Sequence, residues 1–70
     1  MQRLLVHSND VEAYLAAFIQ RNRQAPLIRE IAKALSASPA TVFKVLGKLE
    51  SCGRIRRLPG IARGIELAYP

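Results

Sequence analysis

The chain has 70 residues, half of them hydrophobic, with 11 Lys and Arg against 5 Asp and Glu and a formal net charge of +6. That length allows one domain with a marginal core. The single cysteine excludes a disulfide framework, and no apolar run reaches the ~20 residues that span a bilayer. MQRLLVH turns polar too soon for a secretory signal, so a soluble, intracellular protein is expected. A chain this basic is drawn to phosphate-rich polymers or anionic membrane surfaces. Residues 1 to 28 carry three basic and two acidic side chains, net +1, and residues 29 to 70 carry eight and three, net +5. An anionic partner therefore meets the second half.

In VEAYLAAFIQ, the residues Val11, Tyr14, Leu15, Phe18 and Ile19 recur at the one-face spacing of an amphipathic helix. This predicts helix one over about 9–23. Asn9, three residues before Glu12, has the form of a capping box, which puts the start near Asn9 or Asp10. Ala25-Pro26 stops the helix.

Pro26 then suits the entry to helix two, about 27–35, in which Leu27, Ile28, Ile31 and Leu35 share a face and Arg29 and Lys33 point outward. Its start is weakly signalled, because Leu27 or Ile28 stands where Ser, Thr or Asp normally caps. SAS breaks the chain, and Ser38-Pro39 opens helix three, about 39–52, with Ser as N-cap and Pro at the first helical position. Val42, Val45, Leu46 and Leu49 form its buried stripe, Ala40, Lys44, Gly47, Lys48 and Ser51 face outward, and Thr41 and Phe43 lie on the flanks. Gly53 ends it, and Cys52, beside the stripe, reads as a small core residue.

RIRRL and GIEL, separated by PGIAR, predict a hairpin over about 54–68. Ile65 and Leu67 alternate cleanly about Glu66. The first strand does not: if Ile55 points inward, Arg57 should too, so a bulge or an early departure from the body is expected. The segment Leu4 to Val6 is left unassigned as strand, helical extension or interface. The fold class is mainly α with a small β-hairpin, in a single domain over 1–70.

Two helices joined by a three-residue break have the layout of a helix-turn-helix, whose second helix lies in the major groove. Arg29 with Lys33 and Lys44 with Lys48 are like-charge i, i+4 pairs, each unfavourable in isolation by roughly 0.2–0.5 kcal/mol, and a negatively charged partner reverses that sign. Residues near the N-terminal end of the second helix touch base edges. Ala40, Thr41 and Lys44 are the candidates; Phe43 could touch a thymine methyl, but its flank position reads first as half-buried packing. Lys48 suits a phosphate contact. His7 and Cys52 are too few for a protein-only zinc or catalytic site, and the five acids are dispersed, so no enzyme, metal, cofactor or small-molecule ligand is expected.

From Val11 to Leu67, the chain resembles the N-terminal DNA-binding domain of the LexA repressor family, a winged helix-turn-helix. REIAKAL, SPATVFKVLGKL, CGRI and above all PGIARGIEL carry the resemblance. It implies that helix three enters the major groove and that the hairpin tip, or wing, lies on the backbone or minor groove. Carried over by position, the family's recognition residues fall on Ser38, Ala40, Thr41, Phe43 and Lys44. The family commonly has Asn and paired Glu where this chain has Ala40, Phe43 and Lys44, so the family's operator does not transfer. The turn SAS is a residue shorter than the repressor's, with Ser36 where Gly is more usual. A chain ending at Pro70 has no room for the family's Ser-Lys self-cleaving domain, so DNA binding without autoproteolysis is expected.

The combined expectation is a small transcriptional regulator of the prokaryotic, phage or plasmid type, nucleoid-associated in the cytoplasm. Ser38, Ala40, Thr41, Phe43 and Lys44 would read bases, Arg29, Lys33, Lys48, Arg54, Arg56 and Arg57 would contact the DNA backbone, and Gly60, Arg63 and Gly64 would form the wing, with Arg63 held out on its tip. One short helix in a groove binds weakly, so a homodimer or larger DNA-bound assembly is expected, through Leu4 to Val6 or helix one. The alternative is a protein-interaction or recruitment module, as in replication or plasmid maintenance, motivated by apolar groups at Phe43, Leu58 and Ile61. RNA binding is weaker, since the two Phe and two Tyr form no stacking platform.

Overall fold

The computed structural model describes residues 7–68, which form α1 (Ser8–Asn22), α2 (Ile28–Ala34), α3 (Pro39–Ser51), β1 (Ile55–Arg57) and β2 (Ile65–Leu67). The unassigned Leu4 to Val6 lies outside the described residues. Helix α1 starts earlier than the Asn9–Glu12 pattern suggests. His7 is its N-cap, and Asp10 reaches back to accept the His7 backbone N–H at 3.3 Å. Glu12 instead turns to Arg54, which donates to it at 2.6 and 3.0 Å. A carboxylate paired with a distant arginine is not available as a local cap. The helix closes at Arg23, whose φ of 60° takes the backbone out of the helix while its N–H donates to Ile19 O at 2.8 Å.

Helix α2 is short, and Glu30 supplies its missing start signal. The Glu30 carboxylate accepts the Leu27 backbone N–H at 2.7 Å, the return half of a capping box on a residue that cannot cap for itself. At the other end, Ala37 N–H donates to Ala32 O at 2.9 Å and Ser36 N–H to Lys33 O at 3.4 Å. This is a Schellman closure with Ser36 in the left-handed position, φ 54°. Helix α3 ends in the same way: Arg54 N–H donates to Leu49 O and Gly53 N–H to Glu50 O, with Gly53 at φ 76°. Cys52 is thus the residue past the last turn and is exposed, which corrects its reading as core.

Val11 and Leu15 of α1, Ile31 and Ala32 of α2, Val42, Leu46 and Leu49 of α3, and Ile55 and Ile65 of the hairpin form one buried cluster. Tyr14, Ile19, Ile28, Leu35, Val45 and Leu67 pack at its edge. The amphipathic stripes thereby converge, and burying them supplies the fold's main stabilisation.

The strands pair antiparallel as Ile55 with Leu67, Arg56 with Glu66 and Arg57 with Ile65, a regular register with none of the expected bulge. Arg57 does share the inward face with Ile55. The fold accommodates it because Glu50 of α3 accepts from its Nε at 3.0 Å, so the charge enters with a partner. In the connecting loop, Gly60 adopts φ 77°, where glycine is favoured. Gly64 is needed for space: a Cβ there would lie 2.6 Å from Leu58 O and 2.9 Å from Ile61 O. Leu58 N–H closes the loop by donating to Gly64 O at 2.6 Å.

Candidate nucleic-acid interface

Helix α3 begins where Ser38 Oγ accepts the Thr41 backbone N–H at 3.1 Å, and the Ser38 hydroxyl also donates to Thr41 Oγ1 at 2.9 Å. Ser38 is therefore occupied as a cap, and the Thr41 side chain is braced over the first turn. Ala40, Lys44 and Lys48 are exposed opposite Val42, Leu46 and Leu49, and Thr41 and Phe43 are exposed on the flanks. Phe43 is not half-buried; it is 58% exposed. The Arg57 guanidinium carbon lies 5.0 Å from its ring centroid, a cation–π contact.

The basic side chains of the helix-turn-helix and of the hairpin differ in their partners. Every hairpin arginine is ion-paired: Arg54 to Glu12 at 2.6 Å, Arg56 to Glu66 at 3.3 Å, Arg57 to Glu50 at 2.9 Å and Arg63 to Glu30 at 2.9 Å. Arg29 and Lys33 on α2 and Lys44 and Lys48 on α3 are exposed, with no ion-pair partner among the described residues. Of the side chains expected at the DNA backbone, Arg29, Lys33 and Lys48 thus present unneutralised charge, whereas Arg54, Arg56 and Arg57 share theirs with a carboxylate. Uncompensated cations on two successive helices make a surface that attracts phosphate.

Arg63 departs furthest from its expectation of standing out on the wing tip. Its Nη1 donates to Ala25 O at 3.0 Å and to Glu30 Oε1 at 2.9 Å, and its Nη2 donates to Glu30 Oε2 at 3.2 Å. The planar guanidinium matches a carboxylate bidentately, and this draws the side chain back onto the entry to α2. Arg63 donation, helped by the Leu27 N–H, holds the Glu30 carboxyl below its usual value. The partners Glu12, Glu30 and Glu50 had no functional reading in the sequence; the one local signal was Glu30 standing three residues after Leu27.

Leu58 and Ile61 of the hairpin are 37% and 59% exposed and, with Phe43, Pro26 and Ile28, line a shallow apolar cleft between α3 and the wing. Among the described residues, no three His, Cys, Asp or Glu side chains gather to hold a metal ion, and no helix is long and apolar enough to cross a membrane.

Helices α2 and α3 joined by a Schellman turn, α1 packed behind them and a two-stranded hairpin after α3 define a winged helix-turn-helix domain. The same arrangement is seen in the possible transcriptional regulator YydK from Bacillus subtilis, with a TM-score of 0.65 at 18% identity over 93% of this chain and 30% of that one. The chain belongs to the LexA DNA-binding domain family, whose model matches residues 1–64. It is 45% identical over 58 residues to the LexA repressor of Moorella thermoacetica, a match covering 81% of this chain and 28% of that protein. The match to the LexA repressor of Staphylococcus epidermidis is 35% identical over 68 residues, covering 96% and 33%. The chain therefore spans about a third or less of the length of the curated relatives it matches.

Proposed function

We propose that this protein is a sequence-specific duplex-DNA-binding transcriptional regulator that lays α3 in the major groove and the hairpin along the backbone or minor groove. The observation that carries the reading is the charge of the helix-turn-helix: Arg29, Lys33, Lys44 and Lys48 are exposed there without an ion-pair partner among the described residues, while each hairpin arginine is paired with a carboxylate. In this reading, Lys44 with Thr41 and Ala40 meets base edges, and Arg29, Lys33 and Lys48 meet phosphates. Ser38 contributes by fixing the N-terminal turn of α3. Gly60 and Gly64 shape the wing, and Arg63 holds it against α2. The chain does this chemistry-free work in the prokaryotic nucleoid, as a homodimer or larger DNA-bound assembly, because a single module of this size buries only about 600–1,000 Å² on DNA.

The apolar cleft at Phe43, Leu58 and Ile61 favours one other reading, a recruitment module that docks a protein. Selection from pooled random duplexes by mobility shift separates the two. Enrichment of one motif supports the regulator. No retention of any duplex at moderate salt sinks it and leaves the protein-docking reading.

A further inference from the structure

Phe43, Gly47 and Glu50 stand at i, i+4 and i+7 on α3, one stripe facing the hairpin, and Arg57 lies along that stripe. Its Nε donates to Glu50 Oε1 at 3.0 Å, its Nη2 stands 2.9 Å from the same oxygen, and its guanidinium covers the Phe43 ring. Gly47 leaves room between them: a Cβ built there would come 3.8 Å from Arg57 Nη2, ordinary van der Waals contact. Glu50 neutralises Arg57, so this arginine serves the aromatic ring rather than a phosphate. The result is a phenylalanine on the N-terminal half of α3 that stays 58% exposed yet is braced from one side.

A held, solvent-facing ring on a helix that enters the major groove has one apolar feature to meet there, the C5-methyl group of thymine. Building on the DNA-binding reading above, we infer that Phe43 is a specificity-determining residue that reads a thymine methyl, and that Arg57 is its positioning residue, fixed by Glu50 and admitted by Gly47.

The test uses the full chain and its selected duplex, remade with each thymine in turn replaced by uracil, which removes the methyl and leaves the pairing edge unchanged. Uracil at one position within the motif weakens wild-type binding about fourfold, the effect of losing one buried methyl group. Phe43→Ala binds the thymine and uracil duplexes equally at that position. Arg57→Met, which keeps an unbranched apolar stem, melts as a folded domain and retains its affinity for random duplex but has a smaller thymine-to-uracil ratio. Uracil tolerated at every position, or a thymine preference that survives Phe43→Ala, overturns the assignment of Phe43. A wild-type ratio in folded Arg57→Met overturns the positioning role. Failure to retain any duplex is a different result, which removes the DNA-binding reading itself.

Discussion

Arg63 in the hairpin loop and Glu30 in the first turn of α2 form a bidentate pair at 2.9 and 3.2 Å, and the same Glu30 carboxylate caps the Leu27 N–H. One acidic side chain therefore starts a helix and holds the wing against it. This makes Arg63 a strut of the fold. Arg63→Ala is expected to lower the melting temperature while changing the slope of log affinity against log salt by much less than the roughly 0.9 that a lost phosphate contact removes. Arg63→Lys should not restore the melting temperature, because an ammonium lacks the fork geometry. An unchanged melting temperature with a slope shallower by one full contact would return Arg63 to the DNA.

The Glu30 pair also sets an acid limb. Its folded carboxyl is lowered from an ordinary value of 4.5 by Arg63 and by the Leu27 N–H. The stabilisation is complete above that ordinary value and is lost as pH falls through the lower folded one. The gap in melting temperature between wild type and Glu30→Gln should be widest at neutral pH and narrow below about pH 4.5, the unfolded-chain value. A gap that widens on acidification contradicts this.

The two Schellman turns give a matched comparison. Ser36 occupies at φ 54° the position that Gly53 occupies at φ 76°. A left-handed backbone costs an L-residue roughly 1–2 kcal/mol, against roughly 0.5–1 kcal/mol of chain entropy for glycine. Ser36→Gly should therefore raise the melting temperature by a few degrees and Gly53→Ala should lower it, as thermal unfolding followed by circular dichroism would read. Shifts of the same sign would remove the explanation.

Gly64→Ala should be the most damaging alanine in the wing, because its Cβ would meet backbone carbonyls of Leu58 and Ile61 that cannot rotate away. Overpacking of this kind costs roughly 1–3 kcal/mol. Hydrogen exchange should show faster opening of the Leu58 amide, with the amides of α1 less affected. Unchanged protection at Leu58 would argue against the clash.

The helices were legible because periodic burial is a local property. Val11 with Leu15, and Val42 with Leu46 and Leu49, announce their inner faces within one turn of chain, and Ser38-Pro39 and Gly53 mark the ends of α3 directly. What escaped was set by distance along the chain. Arg63 is separated by 38 residues from Ala25 and 33 from Glu30, and Arg54 by 42 from Glu12, so no local pattern reveals which basic residues the fold consumes. Composition counts all eleven cations alike, while tertiary structure pairs the four hairpin arginines with carboxylates and leaves Arg29, Lys33, Lys44 and Lys48 on α2 and α3 exposed without an ion pair among the described residues. Gly64 shows the same limit: a glycine needed for close approach and one needed for a left-handed turn are the same letter.

The most direct test of the account is the salt dependence of binding to the selected duplex, per domain, for wild type and for variants in each cation group. Three phosphate contacts, from Arg29, Lys33 and Lys48, at roughly −0.9 each, give a slope of about −2.7. Lys33→Ala and Lys48→Ala should each make it shallower by about 0.9, and Arg54→Ala and Arg63→Ala should leave it nearly unchanged. A slope near zero, or one that responds to the paired arginines and not to the lysines, would contradict the assignment of DNA binding to the unpaired cations of the helix-turn-helix.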